Sequence, residues 1–268
     1  MRMTNAFIKR NFLEMLRDPL SYVFCIGFPV VMIVLFNIIG KYADGAASVF
    51  NAKTLTPGMI MFAFTFVMML CSLLVAKDRT SAFVIRLYTS PMKTADFVLG
   101  YTVPFFAVGI AQEVVCVFVG WLVSLIVGGG YFAFGAAVLL MLEMLPMLII
   151  CIAFGVFIGS VLNEKAAPAI SSIFISAAGI LGGAWMPLDT MGGFETFCRF
   201  LPFYPSVYIG RVITGAEHSV IDPVNNVFPA YTFDSVAKLG LIPVAVFLAL
   251  GCVLAAVAFR RNMKSDKK

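Results

Sequence analysis

Residues 57–96 read PGMIMFAFTFVMMLCSLLVA followed by KDRTSAFVIRLYTSPMKTAD. The first twenty residues contain no charge, and about 20 apolar residues are what a helix needs to cross the hydrocarbon of a bilayer. The next twenty carry Lys77, Arg79, Arg86 and Lys93, the basic excess that marks the inner side of a membrane. One span and one inner loop are thus legible together.

The same reading extends along the chain. Of 268 residues, 61% are hydrophobic and 12% charged, against about half and a quarter in soluble domains. Long apolar runs occupy Leu20 to Gly40, Pro57 to Ala76, Phe97 to Val127, Phe132 to Gly159, Pro168 to Pro187 and Leu239 to Phe259. Six spans consume roughly 120 positions and leave no room for a large soluble domain. The third and fourth runs exceed the hydrocarbon thickness, which predicts tilt, a kink at Pro104 or Pro146, or extension beyond the bilayer. Between the fifth and sixth runs, residues 188–238 form an aromatic- and proline-rich outer loop with space for structure of its own. The expected architecture is a single all-α transmembrane domain over residues 1–268.

Six spans place both termini on one side. Fourteen of the 19 Lys and Arg residues fall there: Arg2, Lys9, Arg10 and Arg17, the four of the loop after the second span, Lys165, and five in the tail from Arg260. Lys41, Lys53, Arg199, Arg211 and Lys238 remain for the other side, so the termini are expected to be cytoplasmic. The net charge of +5 therefore reports topology. A nucleic-acid partner is not indicated, because the basic tail has no interleaved aromatics and flanks a span, where it attracts anionic lipid headgroups.

Several chemistries lack their residues. No stretch reads GxxxxGK[ST], so no phosphate loop for nucleotide hydrolysis is present, and an ATP-driven process needs its engine on another chain. The six cysteines form no CxxC pair and sit mostly in apolar runs as small hydrophobes. His218, the one histidine, lies in the polar stretch GAEHSVID and reads as a solvated loop residue; a zinc site has too few ligands. With no GxSxG and no HExxH, a membrane hydrolase lacks its catalytic constellation. No cofactor is expected. The charged stretch before the first run, 19 residues, is too long for a signal peptide.

Residues 1–19 have a pattern of their own. At 100° per residue, Ile8, Phe12, Met15 and Leu16 share one arc and Arg10, Glu14 and Arg17 the opposite one, which predicts an amphipathic helix in the interface plane, an elbow ended by Asp18-Pro19. In the inner loop, Ala82, Phe83, Ile85, Leu87 and Tyr88 alternate with Arg79, Arg86 and Lys93 and end at Ser90-Pro91. That pattern suits either docking on another protein or lying on the headgroups.

These parts, in this order, resemble the six-span membrane subunits of ATP-binding cassette exporters, the type-2 ABC transporter permeases. The likeness rests on the elbow, on Arg79-Thr80-Ser81 leading to Leu87-Tyr88-Thr89-Ser90-Pro91 and Val98-Leu99-Gly100, and on Ala153-Phe154-Gly155-Val156-Phe157-Ile158-Gly159-Ser160. Its most specific part is Leu181-Gly182-Gly183-Ala184-Trp185-Met186-Pro187-Leu188-Asp189, then Phe200-Leu201-Pro202-Phe203-Tyr204-Pro205 and Arg211-Val212-Ile213-Thr214-Gly215. The family's usual proline after the Pro-Leu pair is replaced by Met191-Gly192-Gly193, so the turn there stays open. The resemblance implies a half-transporter in a bacterial plasma (inner) membrane, pairing with a second permease subunit, identical or homologous, and with cytoplasmic ABC ATPase subunits. It implies a coupling helix within 77–96, with Arg79, Phe83, Arg86, Tyr88 and Pro91 as contact residues. It also implies re-entrant helices from about Gly192 to Gly215, with Pro187, Pro202 and Arg211 in the outer segment.

Within the spans, Glu113 and Glu143 are carboxylates in hydrocarbon, which by default mark a functional site or a paired group. Counted from their shared turn at 128–132, their depths differ by about 5 Å, one helical turn, so they are expected either to face each other or to bond neighbouring polar groups. The fifth run is dense in small residues, which permit close helix approach. Ser172, Ser176, Gly179 and Gly183 are its expected contacts with a partner subunit. Gly155-x-x-x-Gly159 is a second such motif. The Met- and Phe-rich second run reads as packing or as the lining of a path for a hydrophobic or amphipathic substrate. A secondary transporter or channel working alone through Glu113 and Glu143 is the competing reading; such carriers often repeat broken helices in matching halves, and no such correspondence is visible.

Overall fold

The computed structural model describes residues 2–19, 23–42, 50–80, 94–127, 132–186, 188–218 and 228–265. These form α1 (Arg2–Arg17), α2 (Val23–Tyr42, opened by a π-helical stretch), α3 (Ala52–Thr80), α4 (Thr94–Val127), α5 (Phe134–Val161), α6 (Ala166–Leu181), a 3-10 turn (Leu188–Thr190), α7 (Gly193–Cys198), α8 (Phe203–Thr214) and α9 (Ser235–Ser265). Among the described residues the only pairing of extended chain is one antiparallel bridge between Glu217 and Ala230. The expected coupling helix lies outside the described residues.

α2, α3, α4, α5 and α9 are long and apolar enough to cross a membrane. α3 is the axis of the bundle. It packs against α2, α4, α5, α6 and α8, and 89% of its most apolar window is buried, against 22% for α9. That position explains its sequence, since a helix apolar on every side needs apolar neighbours on every side. Met59, Ile60, Met61, Ala63 and Phe64 have no exposed surface. The Met- and Phe-rich run is therefore core packing within this chain, and the path-lining alternative does not fit its burial. α3 also begins before its apolar run: Asn51 caps it, accepting from the Thr54 amide at 2.9 Å, and Pro57 lies in its second turn.

α3 and α5 approach closely at Gly155 and Gly159. A Cβ at Gly155 would stand 2.7 Å from the Met68 carbonyl oxygen, and one at Gly159 2.5 Å from that of Ser72. The small-residue motif thus serves packing inside the subunit.

The fifth span is where the observed layout departs from six uniform crossings. α6 has 16 residues, about 24 Å at 1.5 Å per residue, short of the roughly 30 Å hydrocarbon core. It stops at Leu181, where Gly182 and Gly183 turn the chain, the latter at φ +62. Trp185 folds back, its ring meeting Gly179, crossing Phe62 edge-on at 4.7 Å and stacking on Phe36 at 6.3 Å between centroids. The apolar run from 168 to 187 is therefore a short helix plus a buried turn, and α8 packs beyond it against α3, α5 and α9.

Candidate functional site

At the end of the bundle where α3 stops, an aspartate is buried that the sequence reading passed over. Asp78 is 2% exposed and receives both terminal nitrogens of Arg10, at 2.5 and 2.9 Å, plus the Tyr101 hydroxyl at 3.0 Å. Arg10 also meets Glu14 at 2.8 Å, and Glu14 meets Lys77 at 2.8 Å. Burial works to lower the Arg10 pKa; the carboxylates of Asp78 and Glu14 outweigh it and hold the guanidinium above its usual range. α1 is thereby fastened to α3 by ion pairs and to α4 by packing and hydrogen bonds. Asn11 donates to the Gly100 carbonyl at 2.9 Å, Thr4 to Asp96 at 3.0 Å, and Phe7 meets Tyr101 edge-on at 5.1 Å.

This corrects the expected elbow face. The buried stripe of α1 is Phe7, Asn11 and Met15, spaced by four, whereas Leu16 is exposed. The supposed solvent arc of Arg10 and Glu14 faces α3. Asn11 belongs to the buried stripe because its side chain has a backbone partner, the Gly100 carbonyl.

Arg79, the first residue of the expected coupling set, donates to the Ser160 carbonyl at the end of α5, a favourable place for a cation. The other four, Phe83, Arg86, Tyr88 and Pro91, lie outside the described residues, so the two chain ends that bracket 81–93 are tied to α1, α4 and α5 by Asp78, Arg79 and Asp96.

Midway along α4 and α5 the polar groups have no such partners. Glu113 has no exposed surface, and neither of its carboxyl oxygens is hydrogen-bonded; Glu143 Oε2 and Gln112 Oε1 are likewise buried and unbonded. Gln112 does donate to the Ala63 carbonyl at 3.1 Å.

At the opposite end a second network closes the turn after α6. Arg211 is 2% exposed and donates to the Gly183 carbonyl at 2.7 Å and to the Thr54 carbonyl at 3.2 Å, so it pins the turn to the start of α3. Tyr231 lies under it, 5.7 Å from guanidinium carbon to ring centroid, and donates to Asp189 at 2.9 Å. Burial pushes the Tyr231 phenol up, Arg211 opposes that shift and Asp189 adds to it. His218 is not a solvated loop residue: it stacks on Tyr231 at 3.7 Å between centroids and reaches Asp189 at 3.0 Å. Pro202 is buried at the start of α8, and Pro187 lies outside the described residues.

The residues assigned to a subunit contact divide into two groups. Ser172 and Ser176 are on the exposed face of α6, with Ile173 and Ile180. Gly179 and Gly183 are buried, the first against the chain's own Trp185 and the second beside Leu188, which removes them from that surface. On the inner face, Ser171 meets Ser72 of α3 at 2.9 Å.

The family model of the ABC-2 type transporter matches residues 3–214. The chain belongs to that family. Among curated proteins, none matches it. The matched stretch of this ABC-2 type transporter chain runs from the first turn of α1 to the last residue of α8, so it includes the Arg10–Asp78 tie, both membrane carboxylates and Arg211. It is a multi-pass permease component of an ABC transporter, and the family associates with an ABC ATPase. The signal that would have revealed Asp78 is the acidic residue inside KDR, where positive-inside counting weighs only Lys77 and Arg79.

Proposed function

We infer that this chain is the membrane subunit of an ATP-driven exporter, forming the translocation path as a dimer with an identical or homologous chain and powered by separate cytoplasmic ATPase subunits. The observation that carries this reading is the tie of α1, α3, α4 and α5 around the two ends of residues 81–93. A push on that loop reaches four helices through largely part-buried bonds that each have one charged partner, and such bonds are stronger than neutral ones. The loop is the coupling element, with Phe83, Arg86, Tyr88 and Pro91 facing the ATPase. The exposed face of α6 bearing Ser172 and Ser176 meets the second permease subunit. α7 and α8 close the outer end as re-entrant helices, and both termini are cytoplasmic in a bacterial plasma membrane. The cargo is hydrophobic or amphipathic.

Co-expression with an ATPase encoded beside this chain tests the reading. The expected result is a complex of two permease and two ATPase chains whose vanadate-sensitive hydrolysis depends on this chain. Sustained uphill transport by vesicles holding this chain alone overturns it, and is what a carrier acting through Glu113 and Glu143 predicts.

A further inference from the structure

Glu113 and Glu143 lie at about the same level of two antiparallel helices. Gly109 of α4 rests against Leu148 of α5, and Trp121 meets Phe134 at 6.0 Å between ring centroids. In that register, moving four residues along α4 from Gly109 arrives at Glu113, and the same rise along α5 from Leu148 arrives at 143–144.

Three carboxyl oxygens and the Gln112 amide oxygen are buried there without a donor. Neither helix carries a lysine or arginine between Thr94 and Val127 or between Phe134 and Val161, so α4 and α5 themselves offer these acceptors no cation. A group of acceptors in hydrocarbon is stable only when a donor or cation joins it. Glu143 is half-buried, and its surroundings open sideways: Val138, Leu139 and Leu142 of α5 and Val114 and Phe118 of α4 are exposed apolar residues. The approach to the carboxyls therefore runs over apolar surface.

We propose that Glu113 and Glu143 form a binding site for the ammonium group of an amphipathic amine, whose apolar body lies along Val138, Leu139 and Leu142. The ammonium supplies up to three donors to oxygens that have none, and the alkyl body meets the exposed side chains around them. This deepens the exporter reading and rests on it for the fate of the amine, since it names the cargo class as lipophilic cations.

The test uses the full chain in lipid nanodiscs without any ATPase, titrated with a dansyl-labelled long-chain primary amine and with the corresponding uncharged alcohol. Saturable binding of the amine is expected, weakened roughly tenfold or more by Glu113→Gln and by Glu143→Gln, the effect of losing a charge-assisted bond. The alcohol should not saturate. On the unaltered chain, the amine should also shield Glu143 from dicyclohexylcarbodiimide, read by mass spectrometry, which keeps the test valid should a glutamine variant misfold. Amine affinity unchanged in the double glutamine variant, an alcohol bound as tightly, or labelling undiminished at saturating amine each overturns the proposal. So does a pair that exchanges protons, seen in the infrared carboxyl band, while binding no amine. Because binding is read without the ATPase, a chain that binds amine but never stimulates hydrolysis sinks the exporter reading alone, and one that drives hydrolysis without binding amine sinks only the cargo assignment.

Discussion

Asp78 and Glu113 are both buried carboxyls on helices of the same bundle, and their surroundings are opposite. Asp78 receives two bonds from Arg10 and one from Tyr101; Glu113 receives none. A buried acid with all its partners holds helices in place, and breaking it leaves an uncompensated charge. A buried acid without partners contributes nothing to the fold and is retained at a cost to stability of about 1–3 kcal/mol for each unsatisfied group. The contrast separates a structural tie from a site awaiting a ligand, and it gives substitutions of opposite sign.

The largest effect belongs to Arg10→Ala. Arg10 is partly exposed and Asp78 is not, so removing the arginine strands the acid, whereas Asp78→Ala leaves an arginine that still meets Glu14 and water. Arg10→Ala is expected to lower unfolding stability by about 3 kcal/mol and Asp78→Ala by visibly less, measured as denaturant midpoints in detergent. Equal losses would mean that the bond itself, and not the stranded charge, sets the energy.

Glu113→Gln is next, with the sign reversed. The amide removes a charge from hydrocarbon at nearly constant volume, and a gain of about 1 kcal/mol is expected. A loss of similar size would show that Glu113 has a partner in the folded chain and would end the comparison with Asp78.

How much of this was readable from residue order differs by type of signal. α3 is unambiguous because its run has no charge for twenty residues, and counting down two helices from one turn sets Glu113 and Glu143 within about one helical turn of each other in depth. The end of α6 is not readable from hydropathy: Leu181 to Met186 are as apolar as a span, and the turn depends on Gly183 at positive φ and on Arg211, 28 residues away. The same distance effect hid Asp78 and His218, whose partners Arg10 and Asp189 are 68 and 29 residues off. A polar residue whose partner is far along the chain reads as solvent-facing, and that is the common cause of the differences at Arg10, Glu14 and His218.

The smallest effect tests where the tie at the α3 end stops being structural. Lys77 reaches Glu14 at 2.8 Å, yet 53% of its side chain is exposed, and such pairs contribute about 0–1 kcal/mol because water and salt screen them. Arg10 and Lys77 share the Glu14 carboxylate. Lys77→Ala is therefore expected to shift stability by less than about 0.5 kcal/mol at low salt and by nothing measurable at 1 M salt. Arg10→Ala should keep most of its effect at both, because its partner is buried. A Lys77 effect as large and as salt-resistant as that of Arg10 would extend the buried tie to the surface of the bundle and make Glu14, rather than Asp78, its centre.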